Sequence, residues 1–281
     1  MWLVSMLVLI PVFYLATGQP ITPEIADWLN KIVPNDATIS DQSVALGCIT
    51  GIALAGSPLH LIGRYLPTVV HELGHAFTAG VLGGRPQKIT ISLDTSGLAY
   101  FDVPQNWDKI RATLVLIAGY LAPPVAALAA VVAVQAGLPQ SWFLFSTGVL
   151  AIAIVFLVRN IWGFIWTAAI VAGCYYGVRY LPANLIASSV PVIAGYLSVE
   201  GFRDARTQQK ITKFQPGSGC DAERIAYHWR LKPVMVARVH TLLVVVIGGF
   251  ALRLAIEPYW SEIYQWGEEI ISSRTIDRLL P

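Results

Sequence analysis

The chain has 281 residues, of which 55% are hydrophobic and only 13% charged, about half the charged share of a soluble globular protein. With a mean hydropathy of +0.60, this excludes a disordered chain, a disulfide-rich secreted module and a charged nucleic-acid binder, and it leaves too little polar surface for a soluble domain. The net charge of +2 names no partner, so the positions of the few charges carry the information.

Measured against the roughly 20 residues that cross a bilayer as a helix, the apolar stretches in chain order are 2–17, 43–57, 59–83, 112–136, 141–158, 161–178, 181–199 and 236–256. They predict an all-α polytopic integral membrane protein with about 6–8 transmembrane helices. The expected organisation is one membrane domain over 1–281: a hydrophobic segment and acidic loop at 1–42, a helical core at 43–256, and an acidic, aromatic tail at 257–281. The 2–17 stretch reads as an uncleaved helix rather than a signal peptide, because no Lys or Arg precedes it. The 43–57 stretch is short and runs into Gly56-Ser57-Pro58, so it is either half-inserted or packed with the next helix. Pro123-Pro124 kinks the 112–136 helix, either to admit water or for packing. In the tail, Trp260, Tyr264 and Trp266 stand among acids and suggest a helix at the membrane interface.

Charge orients the bundle. Segment 200–238 carries a net +4 and the tail 257–281 a net −3. Positive-inside logic puts the first in the cytoplasm and the second outside. Counting back, 84–111 is cytoplasmic and the 59–83 helix runs outside to inside. Segment 18–42, at net −3, prefers the outside, and a half-inserted 43–57 segment reconciles it with the count. A multi-pass protein of the plasma membrane is the simplest expectation. Cys48, Cys174 and Cys220 show neither a pairing pattern nor a CxxC.

The chemistry concentrates in His71-Glu72-Leu73-Gly74-His75, inside an apolar helix. Residues i and i+4 of a helix share a face, so two imidazoles can hold one metal ion, and the adjacent glutamate can take a proton from water at that metal. Chance produces this pattern in about 0.0025 sequences of this length and composition. Three ionisable groups at membrane depth are costly and need a reason. Next, Arg85 to Val103 reads as a hairpin: Ile89, Ile91 and Leu93 alternate with Thr90 and Ser92, Asp94-Thr95-Ser96-Gly97 turns, and Leu98, Tyr100, Phe101 and Val103 return. A free hairpin edge can pair with an extended peptide.

Val70-His71-Glu72-Leu73-Gly74-His75-Ala76, followed by Gly83-Gly84-Arg85 and the Ile89–Phe101 hairpin, resembles the M50 site-2 protease group, and more closely its M50B-like branch. Gly119-Tyr120-Leu121-Ala122-Pro123, Arg159-Asn160 and Cys220-Asp221-Ala222 add shorter matches, so the resemblance spans about residues 60–250. It implies an intramembrane zinc metalloprotease with one Zn²⁺, His71 and His75 as ligands, Glu72 as general base, and membrane-embedded proteins as substrates. The family's third ligand is usually an aspartate in an LDG-like motif, which this sequence lacks.

Asp221 is the leading candidate for that third ligand, since a His₂Asp set with an open position is a catalytic arrangement. The same residue could instead cap the 222–229 segment. Asn160 lies on the same side and could position substrate backbone or an oxyanion, or could be a polar turn. Asp94 and Asp102 read as turn and surface residues. His60 lies about 16 Å from His71 along one helix and cannot share the metal unless the helix breaks at Pro67. His228 is a weak candidate, and His240 is at most an outer partner. The missing LDG keeps two other readings open: a metal-binding, non-proteolytic membrane scaffold or transporter, and a transporter with histidine proton relays.

Overall fold

The computed structural model describes residues 38–104 and 107–273. The expected helix at 2–17, most of the acidic loop and the last eight residues lie outside the described residues. Among the described residues, five helices are long and apolar enough to cross a membrane, or six when one bent pair is counted as a single span. The chain is a polytopic all-α membrane protein with one small hairpin.

Helix α1 (Asp41–Gly56) starts where Ser40 Oγ accepts the Ser43 N–H, with Asp41 in the first turn, where negative charge suits the helix dipole. It stops at the Gly-Ser-Pro sequence. A short turn α2 (His60–Gly63) and helix α3 (Tyr65–Val81) follow, bent from α1 by 97°. The break thus falls at residues 57–59 and Arg64, while Pro67 sits harmlessly in the first turn of α3, where its missing N–H has no intrahelical acceptor to lose. Counted as one broken span, the pair returns residue 38 to the side opposite the hairpin, which is the side the acidic 18–42 charge favours.

Helix α3 buries Tyr65, Val69, Glu72, Ala76 and Ala79, a three-to-four-residue stripe that carries Glu72 and His75 inward. It ends in a Schellman motif. The Gly84 N–H reaches Ala79 O at 2.8 Å and the Gly83 N–H reaches Gly80 O at 3.3 Å, with Gly83 at φ +91°. This turn delivers the chain directly into strand β1 (Arg85–Ile91), which pairs antiparallel with β2 (Gly97–Asp102) in the register Ile91↔Gly97, Ile89↔Ala99 and Arg85↔Asp102. Asp94 closes the turn as expected: its carboxylate accepts the Ser96 N–H and hydroxyl, and these bonds hold its carboxyl below the usual range. Ile89 and Ile91 are fully buried, whereas Leu93 is exposed.

The remaining helices are α4 (Lys109–Gln135), α5 (Pro139–Phe156), α6 (Ile161–Tyr180), α7 (Ala183–Phe214), α8 (Asp221–Trp229) and α9 (Pro233–Ser273). Helices α4 and α7 form the buried centre, and α6 is the least buried. Close approach relies on small residues, as membrane helix packing requires. A Cβ on Gly74 would fall 2.6 Å from Ala118 O of α4, one on Gly51 would strike the backbone of α7 at Val192, and one on Gly195 would strike that of α1 at Cys48. Pro123 and Pro124 are buried, with Gly201 of α7 and Gly248 of α9 against them. Of their two expected uses, packing is the one visible.

Two elements run further than the sequence suggested. Helix α7 continues well past residue 199, carrying Arg203, Arg206, Lys210 and Lys213 on its extension. Helix α9 continues through Pro258 to Ser273, so the described part of the tail is helical and continuous with the last span. Trp260 and Tyr264 are exposed on it.

Candidate active site

The i, i+4 spacing in α3 brings His71 Nε2 and His75 Nε2 to 3.1 Å of each other. The Nδ1 of His75 lies 2.7 Å from Val115 O of α4. A carbonyl only accepts, so Nδ1 carries the proton and the Nε2 lone pair is free to face the site. Gly119 makes room for both rings: a Cβ there would strike His75 Nε2 and fall 2.7 Å from His71 Nε2.

Asp221 arrives from the other end of the sequence. The loop before it uses Gly217 at φ +87° and Gly219 at φ +71°. Glu223 ties this loop down by accepting from Gly217 N (3.0 Å), Gly219 N (2.7 Å) and the Ser218 hydroxyl (3.1 Å). Asp221 is itself the first residue of α8, whose N-cap is Cys220, with no side-chain capping bond. The capping reading of Asp221 is therefore corrected: Glu223 satisfies the local amides and frees Asp221 to face the imidazoles. Its Oδ2 lies 3.4 Å from His75 Nε2 and 3.8 Å from His71 Nε2.

The three donor atoms lie within 4.8 Å of one another. Tetrahedral zinc at ordinary bond lengths separates its ligand atoms by about 3.3 Å, and the observed 3.1, 3.4 and 3.8 Å bracket that value. Two nitrogens and one hard oxygen converging on one point fit a divalent metal with a further position open.

Glu72 points to the hairpin and is 5% exposed. The Ala99 backbone N–H of β2 is directed at its carboxylate, and a Cβ on Gly97 would fall 2.5 Å from Oε1. Strand β2 therefore passes the carboxylate at backbone contact. A cavity of about 190 Å³ opens between the ligand set, Leu98 and Phe101 of β2, and Leu116 and Tyr120 of α4.

The outer edge of β1 is already occupied. Ile89 exchanges backbone bonds with Leu157 and Arg159, and Ile91 is bound at both ends by the Asn160 amide, N–H to Oδ1 at 2.9 Å and Nδ2 to carbonyl at 2.6 Å. Asn160 thus clamps β1, and both ends of its amide are engaged there rather than turned to the cavity. Gly163 permits the clamp, since a Cβ there would fall 2.6 Å from Asn160 Oδ1. With β1 covered, the hairpin's unpaired edge is that of β2, beside Glu72. Asn160→Ala is expected to leave two Ile91 groups unpartnered, at about 1–3 kcal/mol each. Amide exchange across residues 85–102 should accelerate accordingly, and unchanged exchange would contradict the clamp.

The described part of the chain matches the family whose model is described as Peptidase M50B-like, over residues 44–252. The chain belongs to that family. No curated protein and no solved structure matches it. Membership supports a membrane metallopeptidase, and in this M50B-like chain the HExxH helix, the hairpin and the α8 loop all fall inside the matched range.

The other candidates lie elsewhere. His60 Nδ1 contacts Ser57 O in α2, His228 sits on α8 beside Tyr227, and Asp102 accepts from Gln87. Val115, Gly119 and Tyr120 had no role assigned from sequence, and Gly97 had only its place in the turn. Gly119 and Tyr120 lay in a matching motif, but the site roles of Gly97 and Val115 carry no local signal, because one acts through a missing Cβ and the other through a backbone carbonyl. Gly97→Ala is expected to displace Glu72 and lower any cleavage rate by about 10²-fold, the scale of a 1 Å misplacement. Metal content should not change. Wild-type turnover by this variant would contradict the contact.

Proposed function

We propose that the chain is an intramembrane zinc endopeptidase acting on membrane-embedded protein substrates near the cytoplasmic face, within the plasma membrane. His71, His75 and Asp221 would hold one Zn²⁺, and Glu72 would be the general base. The observation that carries this reading is the convergence of the three donor atoms beside an open cavity into which the neighbouring carboxylate faces.

When bound, zinc supplies Lewis acidity that polarises the scissile carbonyl and acidifies water. The chain's own residues do the rest. Val115 fixes the His75 tautomer. Asp221 brings one negative charge to the ligand set. Glu72 takes the proton of the attacking water and passes it to the leaving amine nitrogen. The free edge of β2 offers backbone groups to a peptide in extended form, so a helical substrate segment would unwind to pair there. Ala99 then sets the register, because its N–H faces Glu72 and the scissile bond would lie opposite it. Asn160 supports this edge from behind through β1, a positioning role one strand removed from substrate.

The open cavity favours this reading over a closed, non-proteolytic metal site. The test is cleavage of a transmembrane peptide library in bicelles by purified protein, with and without a chelator. Metal-dependent internal cleavage is expected. A wild-type protein that binds zinc and cleaves nothing would favour the scaffold reading instead.

A further inference from the structure

The two histidines of the site are held differently. His75 has a hydrogen-bonded carbonyl behind it, whereas His71 makes no hydrogen bond through Nδ1 among the described residues. What His71 has instead is Tyr120, packed edge-on at 4.6 Å between ring centroids. Tyr120 in turn stacks on His240 of α9 at 5.2 Å and 26°. His240 is 0% exposed, and its Nδ1 lies 2.8 Å from Oε1 of Gln208 on α7, itself 1% exposed. A histidine and a glutamine this fully buried are costly, and the Nε2 atoms of both have no hydrogen-bond partner among the described residues. Apolar residues would fill this space more cheaply.

We infer that Tyr120, His240 and Gln208 form a positioning stack that sets the ring orientation of His71. The inference rests on His71 being a metal ligand. A ligand imidazole needs its ring plane fixed, and outer partners normally do this by hydrogen bonding. Here a packed aromatic does it. The Tyr120 ring blocks rotation of His71, the His240 ring blocks Tyr120 from behind, and the bond to Gln208 fixes His240 about its own axis. Helices α4, α7 and α9 thereby each contribute one residue to the geometry of a ligand on α3. This assigns a role to the last span that the ligand set alone does not give it.

The test reads metal binding in purified, metal-free protein: zinc affinity by chelator competition, and the visible absorption spectrum after loading with Co²⁺. His240→Ala should weaken zinc binding by about 10–100-fold, the scale of outer-partner changes, and should alter the Co²⁺ spectrum. His240→Phe keeps a ring against Tyr120 and should stay within about threefold of wild type, well inside that range. Val244→Ala, a buried change one turn further along α9, controls for loss of packing and should leave both readouts unchanged. Folded His240→Ala protein with wild-type affinity and spectrum would overturn the inference. So would equal losses in the Val244→Ala control. If His240→Ala does not fold, an altered affinity and spectrum in Tyr120→Ala, with Tyr120→Phe as wild type, carries the same decision. A wild-type protein that binds no metal overturns the ligand reading and this inference with it. Wild-type metal binding without peptidase activity overturns only the proposed function.

Discussion

Glu72→Gln is expected to lower peptide-bond cleavage by about 10²–10⁴-fold, the range for removing a general base, while the bound metal stays at its wild-type level. Glutamine has the size of glutamate, so the packing against β2 is kept. What it lacks is basicity: it cannot take a proton from water or return one to the leaving amine. None of the three proposed ligand atoms belongs to Glu72, so metal content separates loss of chemistry from loss of the site. Cleavage within twofold of wild type would remove Glu72 from the mechanism.

Gly119→Ala is expected to weaken metal binding by more than about 100-fold, beyond the 10–100-fold typical of outer-partner changes, and to abolish cleavage with it. The added methyl would occupy the space of both imidazole Nε2 atoms at once. Relief would require the two rings to swing away from the site, which takes His75 off its bond to Val115 O. Gly119 has no functional group, so an effect of this size can only come from volume. Equilibrium dialysis against zinc measures it. Unchanged affinity in the folded variant would show that the histidines sit elsewhere when metal is bound.

Much of the fold was legible because its signals are local. Scarce charge and long apolar runs give the membrane class, and alternation with an Asp-Thr-Ser-Gly turn gives the hairpin. His71, Glu72 and His75 were legible because their spacing is a property of one helix. Asp221 was harder. Charge counting gave only an expectation of its side of the membrane, and ligand and cap differ only in where the carboxylate points. That depends on Glu223 having satisfied the loop amides first. The break between α1 and α3 was legible as the boundary between the 43–57 and 59–83 stretches at Gly56-Ser57-Pro58, and the chain bends there by 97°. Asn160 lies 69 residues from the strand it clamps, and Gln208 lies 32 residues from His240. No local pattern encodes such pairs.

The central claim is a three-ligand site with an open position, and its most direct test is the ligand set of the zinc-loaded protein, read by anomalous diffraction at the zinc edge. The expected result is one ion bound by His71 Nε2, His75 Nε2 and an oxygen of Asp221, each at about 2.0–2.2 Å, with no fourth protein ligand and Glu72 outside bonding distance. An ion enclosed by four protein ligands, or one that leaves Asp221 unbound, would contradict it.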